Sequence, residues 1–149
     1  MIYTLTIECI DGWYLTDKCV RVLEIKKDVS LCALRFAIHD VFDFDFDHLH
    51  AFYVSRTGNP RGKKYKPGRQ ENEGQDDYYD LEWNVDDLLL KDVWPLGRNK
   101  LYYYFDFGDN WIFEIRKARG EKPADENVSY PRVIKSVGPI PKQYPSWDE

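Results

Sequence analysis

The chain has 149 residues, 43% hydrophobic and 32% charged. That suits one domain with a core of its own and excludes a disordered polyelectrolyte. No window approaches the roughly 18 apolar residues of a membrane-crossing helix, and the formal net charge of −5 gives no overall attraction to nucleic acid, so any such binding has to be local. The patterning predicts a single α+β domain over 1–149: a mostly antiparallel sheet with two or three packed helices.

Tyr3, Leu5, Ile7 and Cys9 alternate with Thr4, Thr6 and Glu8, the period of a half-buried strand, and Asp11-Gly12 turns the chain. The β-branched run Cys19 to Ile25 is expected to return antiparallel as a hairpin. Ser30 then stands as an N-cap before Leu31, Leu34, Ile38, Val41 and Phe42, one stripe of an amphipathic helix. The alternating Asp43 to Asp47 segment ends that helix, and His48 to Val54 reads as a third strand with both histidines on one face.

Residues 56–77 are almost free of apolar side chains, and several glycines and prolines sit among their charges, which predicts a long polar loop. Its cations Arg56, Arg61, Lys63, Lys64, Lys66 and Arg69 precede the acids Glu71, Glu73, Asp76 and Asp77. Asn84 is placed to cap a short helix through Val85, Leu88 and Leu89, stopped by Trp94-Pro95. Leu101 to Asp106 and Trp111 to Arg116 predict two strands around a Phe-Gly-Asp-Asn corner in which Gly108 takes a positive φ. From Gly120 onward the repeated prolines predict an irregular C-terminal segment.

These residues resemble the plasmid pRiA4b ORF-3-like family, whose members also occur as passengers of bacterial mobile elements. The resemblance rests on the Ser30 to Phe42 helix, on Asp47-His48-Leu49-His50-Ala51-Phe52, on Tyr102, Tyr104 to Asp109 and Trp111, and on Tyr130-Pro131-Arg132. The chain departs from the family pattern at Arg35 and Phe113, where many relatives carry His, and at Gly138 to Lys142, which replaces an acidic ending. The resemblance implies no established activity.

Two chemistries compete for the polar residues. His48 and His50 on one strand face, with Asp106 and Asp109 from the hairpin, have the donor types of a catalytic zinc site and would make a metal-dependent hydrolase. Read structurally, the histidines belong to a polar layer and Asp106 satisfies amides at the corner. Neither Cys32 nor Ser30 has a visible base, and Asp106-Phe107-Gly108 lacks every other element of a kinase site.

The reading adopted is a non-enzymatic binding or interaction module with no required cofactor. One partner class is nucleic acid, held by the six loop cations with Tyr65 stacking on bases. The other is protein, including self-association, through Trp13, Tyr14, Trp83, Trp94, Tyr144 and Trp147. No membrane partner is expected. Cys9, Cys19 and Cys32 form no Cys-x-x-Cys pair, and the first residues alternate instead of forming a leader, so reduced, buried thiols in the cytoplasm are expected.

Overall fold

Alternation in the first residues produces a long strand, β1 (Ile2–Asp11), and the β-branched run after the turn produces β2 (Cys19–Lys26) antiparallel to it. Leu5 lies opposite Leu23 and Cys9 opposite Cys19, so the hairpin is registered by its apolar face. The structure is a computed structural model and describes residues 1–46, 48–68 and 84–143. Four further strands complete the sheet: β3 (His50–Ser55), β4 (Lys100–Phe105), β5 (Trp111–Lys117) and β6 (Arg132–Val137). The order across it is β3-β4-β5-β1-β2-β6, with every neighbouring pair antiparallel.

One helix, α1 (Leu31–Phe42), covers one face of this sheet. The Ser30 hydroxyl accepts the Ala33 N–H at 3.2 Å, as an N-cap should. Leu31, Leu34, Ile38 and Phe42 are buried against Ile7, Leu101, Phe113 and Ile115, each contributing about 1.5–3 kcal/mol. At the other end Asp43 takes a left-handed conformation (φ 55°), and the Phe44 N–H returns to the His39 carbonyl. The opposite face of the sheet carries a smaller cluster of Tyr53, Tyr102, Tyr104 and Ile112.

The expectation of two or three helices is overturned, because α1 is the one α-helix among the described residues. At Asn84 the side chain accepts the Asp86 N–H at 3.0 Å in a local turn, and only a short 3-10 turn, Leu90–Asp92, follows. The reason lies around the start of α1. Its first amides need acceptors, and Leu31 donates to the Leu88 carbonyl at 2.8 Å while Cys32 donates to that of Asp86 at 3.1 Å. The Leu90 and Lys91 amides, each a single donor, are spent on the Val29 and Lys27 carbonyls and so cannot close a helical turn of their own.

The irregular C-terminal segment expected from residue 120 is also corrected. Lys122 bridges to Ile2, and residues 132–137 form β6 along the outer edge of β2. Prolines flank that window without entering it, so every amide in it is free to join a ladder. Nor is the described part of the polar loop featureless: Tyr65 pairs with Val54 through backbone bonds of 2.9 and 2.8 Å, and the Tyr53 hydroxyl donates to the Gly58 carbonyl at 2.6 Å. Residues 69–77 lie outside the described residues. Among the described residues no helix is long and apolar enough to cross a membrane.

Two substitutions test this packing. Ser30→Ala is expected to cost about 1 kcal/mol in denaturant unfolding, the usual loss of a cap. Gly12→Ala would put a methyl 2.1 Å from the Trp111 ring, which is fully buried, and is expected to cost about 1–3 kcal/mol as overpacking. Unchanged unfolding midpoints for both would contradict the packing described.

Candidate functional site

The β4–β5 connection is a five-residue corner, Asp106 to Asn110, closed by the pair Phe105 and Trp111. Asp106 and Asn110 take left-handed φ values of 54° and 58°, whereas Gly108, expected to be the positive-φ residue, does not. Short polar side chains tolerate that region because they hydrogen-bond locally. The Asp106 carboxylate accepts the Asp109 N–H at 3.2 Å, and its carbonyl accepts the Asn110 N–H at 2.7 Å. The corner is also tied to neighbouring chain: the Asp106 N–H donates to the Leu49 carbonyl and the Trp13 N–H to the Asp109 carbonyl.

His48 meets this corner from the segment before β3, its Nε2 lying 3.3 Å from an Asp106 carboxylate oxygen. Burial, with the neighbouring Asp106 charge second, raises the Asp109 carboxyl above the usual carboxylate range. His50 is two residues on and inside β3, but its Nε2 faces the Arg35 guanidinium of α1 instead. A guanidinium can only donate, so this nitrogen accepts and the ring proton sits on Nδ1. The two histidines therefore do not converge. Sequence spacing placed them on one strand face, but the strand begins only at His50, so the period-two rule does not reach His48.

The third histidine, overlooked in the sequence, anchors the layer between helix and sheet. His39 is buried; its Nδ1 lies 3.1 Å from the Phe44 carbonyl and its Nε2 2.7 Å from the Tyr103 hydroxyl. A carbonyl only accepts, so Nδ1 carries the proton and Tyr103 donates to Nε2. Phe46 stacks on the ring at 4.0 Å between centroids and Phe105 meets it edge-on at 4.5 Å. The available signal was spacing: Arg35 and His39 are four apart and border the Leu31-Leu34-Ile38-Phe42 stripe, where polar side chains reach the margin of the core.

Among the described residues no three His, Cys, Asp or Glu side chains are grouped to hold a metal ion, so His48, His50, Asp106 and Asp109 are not assembled as one site. The loop cations are dispersed too. Arg56, Arg61, Lys63 and Lys66 are exposed, Lys64 is fully buried, and Arg69 lies outside the described residues. Of the aromatic anchors, Trp13 is exposed while Tyr14 and Trp94 are partly buried; Trp83, Tyr144 and Trp147 lie outside the described residues. Cys9 and Cys19 are buried free thiols, whereas Cys32, expected to be buried, is partly exposed beside Arg35.

Over the histidine layer lies an apolar patch the sequence did not single out. Phe36 is 53% exposed, Phe46 47% and Leu49 71%. The two phenylalanine rings stand 4.8 Å apart, with the Arg35 guanidinium 5.5 and 5.9 Å from their centroids. Arg35 thus links the patch to His50 below it and, at 3.9 Å, to the Asp86 carboxylate.

Comparison with known proteins gives a family and a fold. The family model described as plasmid pRiA4b ORF-3-like protein matches residues 2–143. A crystal structure of a protein of unknown function, MM3350 from Methanosarcina mazei Go1, superposes with a TM-score of 0.66 at 22% identity, covering 91% of this chain and 68% of that one. No curated protein matches the chain.

Burial lowers the pKa of both His39 and His50, and for His50 the facing Arg35 charge adds to the effect. A histidine depressed in the folded state binds more protons when unfolded, so its stabilisation is complete above the unfolded value of about 6.5. It is lost as pH falls through the depressed values. Stability should therefore hold above about pH 7.5 and decline below about 6.5, with a shallower decline in His50→Gln, as measured by urea unfolding at several pH values. Tyr103→Phe, which leaves His39 Nε2 without its donor, is expected to cost about 1–3 kcal/mol.

Proposed function

Because the chain belongs to the plasmid pRiA4b ORF-3-like family, a family of unknown function, we propose that it is a non-enzymatic interaction module whose working surface is the Phe36–Phe46–Leu49 patch. The observation carrying this reading is the contrast between two adjoining layers. Below, both ring nitrogens of His39 are spent on Phe44 and Tyr103 and the Nε2 of His50 on Arg35, which is the behaviour of structural groups. Above, Phe36 and Phe46 meet solvent beside a guanidinium, with the exposed Leu49 three residues further along the chain, and a partner would gain from burying them.

The metal-dependent hydrolase reading would need His48 and His50 to share an ion with Asp106 and Asp109. What supports setting it aside is that His50's inward nitrogen already faces a fixed cation, and a metal ion there would meet like charge. The nucleic-acid reading loses Lys64, whose ammonium is buried, and the patch is not basic.

The proposal makes a paired prediction. Phe36→Ser and Leu49→Ser are expected to change unfolding free energy by no more than about 0.5 kcal/mol, as exposed substitutions do, while reducing binding of a hydrophobic reporter dye. Protein purified without an affinity tag, equilibrated with zinc and desalted, is expected to retain well under one equivalent by elemental analysis. Stoichiometric zinc lost in a His48→Ala/His50→Ala variant would replace this reading with the hydrolase.

A further inference from the structure

The patch has a charged border that says what kind of partner fits it. Asp40 follows Phe36 by one helical turn and so lies on the same side of α1. Asp43 and Asp45 occupy the segment leading directly to Phe46. All three side chains are exposed, and none has an ion-pair partner among the described residues. With Asp86, four carboxylates lie on or next to the elements that carry the aromatic pair, against two cations: Arg35, which is itself close to Asp86, and Lys142, which lines a cavity with Asp43 and Asp45.

Several acids of the sheet, by contrast, are ion-paired. Glu24 is held by Arg132 at 2.6 Å and Lys122 at 3.3 Å, Glu114 by Arg116 and Lys100, and Glu8 by Arg116. These pairs neutralise the charge of the outer sheet face locally. Beside the patch the carboxylates outnumber the cations, and Asp40, Asp43 and Asp45 have no ion pair among the described residues, so the field there is negative beside an exposed apolar surface. Complementary potential is what steers and selects a protein partner.

We infer that the Phe36–Phe46–Leu49 surface docks a protein segment that is both cationic and apolar, with aliphatic or aromatic side chains over the phenylalanines and Lys or Arg against Asp40, Asp43 and Asp45. This rests on the interaction-module reading above and adds the partner's chemistry to it. An acidic partner would meet more like charge than opposite charge along the border, and a nucleic-acid backbone would meet the same net repulsion. An anionic membrane surface is disfavoured on the same ground. A second copy of this chain, itself of net charge −5, fits only by presenting some basic region of its own.

The test uses the full chain and a model amphipathic helix of Leu and Lys, with a Leu/Glu peptide of the same pattern as control, by fluorescence anisotropy. The Leu/Lys peptide is expected to bind, and to weaken as salt is raised from about 50 to 300 mM because the Debye length shortens. Phe36→Ser and the triple variant Asp40→Asn/Asp43→Asn/Asp45→Asn are each expected to weaken it about tenfold or more. Asn suits the left-handed Asp43 position, so the triple variant keeps the backbone. Trp13→Ala, which removes an exposed aromatic elsewhere, should leave binding unchanged.

No binding of the Leu/Lys peptide, or binding that the patch variants leave intact, would overturn the inference. Ultracentrifugation separates its failure from that of the broader reading. A wild-type dimer that Phe36→Ser dissociates, without Leu/Lys binding, would keep the interaction surface and replace the cationic partner with a second copy. A monomer whose solution behaviour no patch substitution alters would remove both.

Discussion

The molecule depends on the burial of one helix stripe. A six-stranded antiparallel sheet has two faces to protect, and α1 is the one α-helix described on either of them. Leu31, Leu34, Ile38 and Phe42 therefore fix where the helix lies, and the neighbours of the helix follow. Residues 84–92 give up a helix of their own because the Leu90 and Lys91 amides donate to Val29 and Lys27, while the Asp86 and Leu88 carbonyls accept the first amides of α1. His39 and Arg35 border the same stripe, and its placement over β3 and β4 brings them to Tyr103 and His50.

A polar layer at such a margin gains from pairing each of its groups, and although the Arg35 Nε is buried without a hydrogen-bond partner among the described residues, His39 is fully paired. His39 shows how that is achieved: a backbone carbonyl sets the tautomer, and a tyrosine hydroxyl, free to rotate, supplies the matching donor. Arg35 supplies a donor to one nitrogen of His50, Nε2, while remaining close enough to the surface to lie over Phe36 and Phe46. The same guanidinium thus belongs to the interior and to the exposed patch.

The Asp106 to Asn110 corner serves a different purpose. Its two left-handed residues and its bonds to Leu49 and to the end of the first hairpin join three parts of the sheet that are distant in sequence. Gly12 belongs to the same junction, because any side chain there would enter the space of Trp111. Asp106 serves this corner through its carboxylate and Asp109 through its backbone, with His48 beside Asp106 and not grouped with His50.

Local chemistry was legible in the sequence alone. The first hairpin, the N-capped helix with its stripe, the alternation of Trp111, Phe113 and Ile115 against Ile112, and the family all follow from period, caps and motif, since these report on a residue and its near neighbours. The tertiary structure decided whatever depended on contacts between distant segments. It turned the expected second helix into a set of acceptors for α1, gave residues 132–137 a strand by lending them the edge of β2, and buried Lys64. It also separated His48 from His50 and exposed Phe36 and Phe46 side by side. A backbone carbonyl, a sheet edge and a guanidinium arriving from another element leave no trace in local periodicity, and for that reason the candidate surface emerged only when the chain was folded.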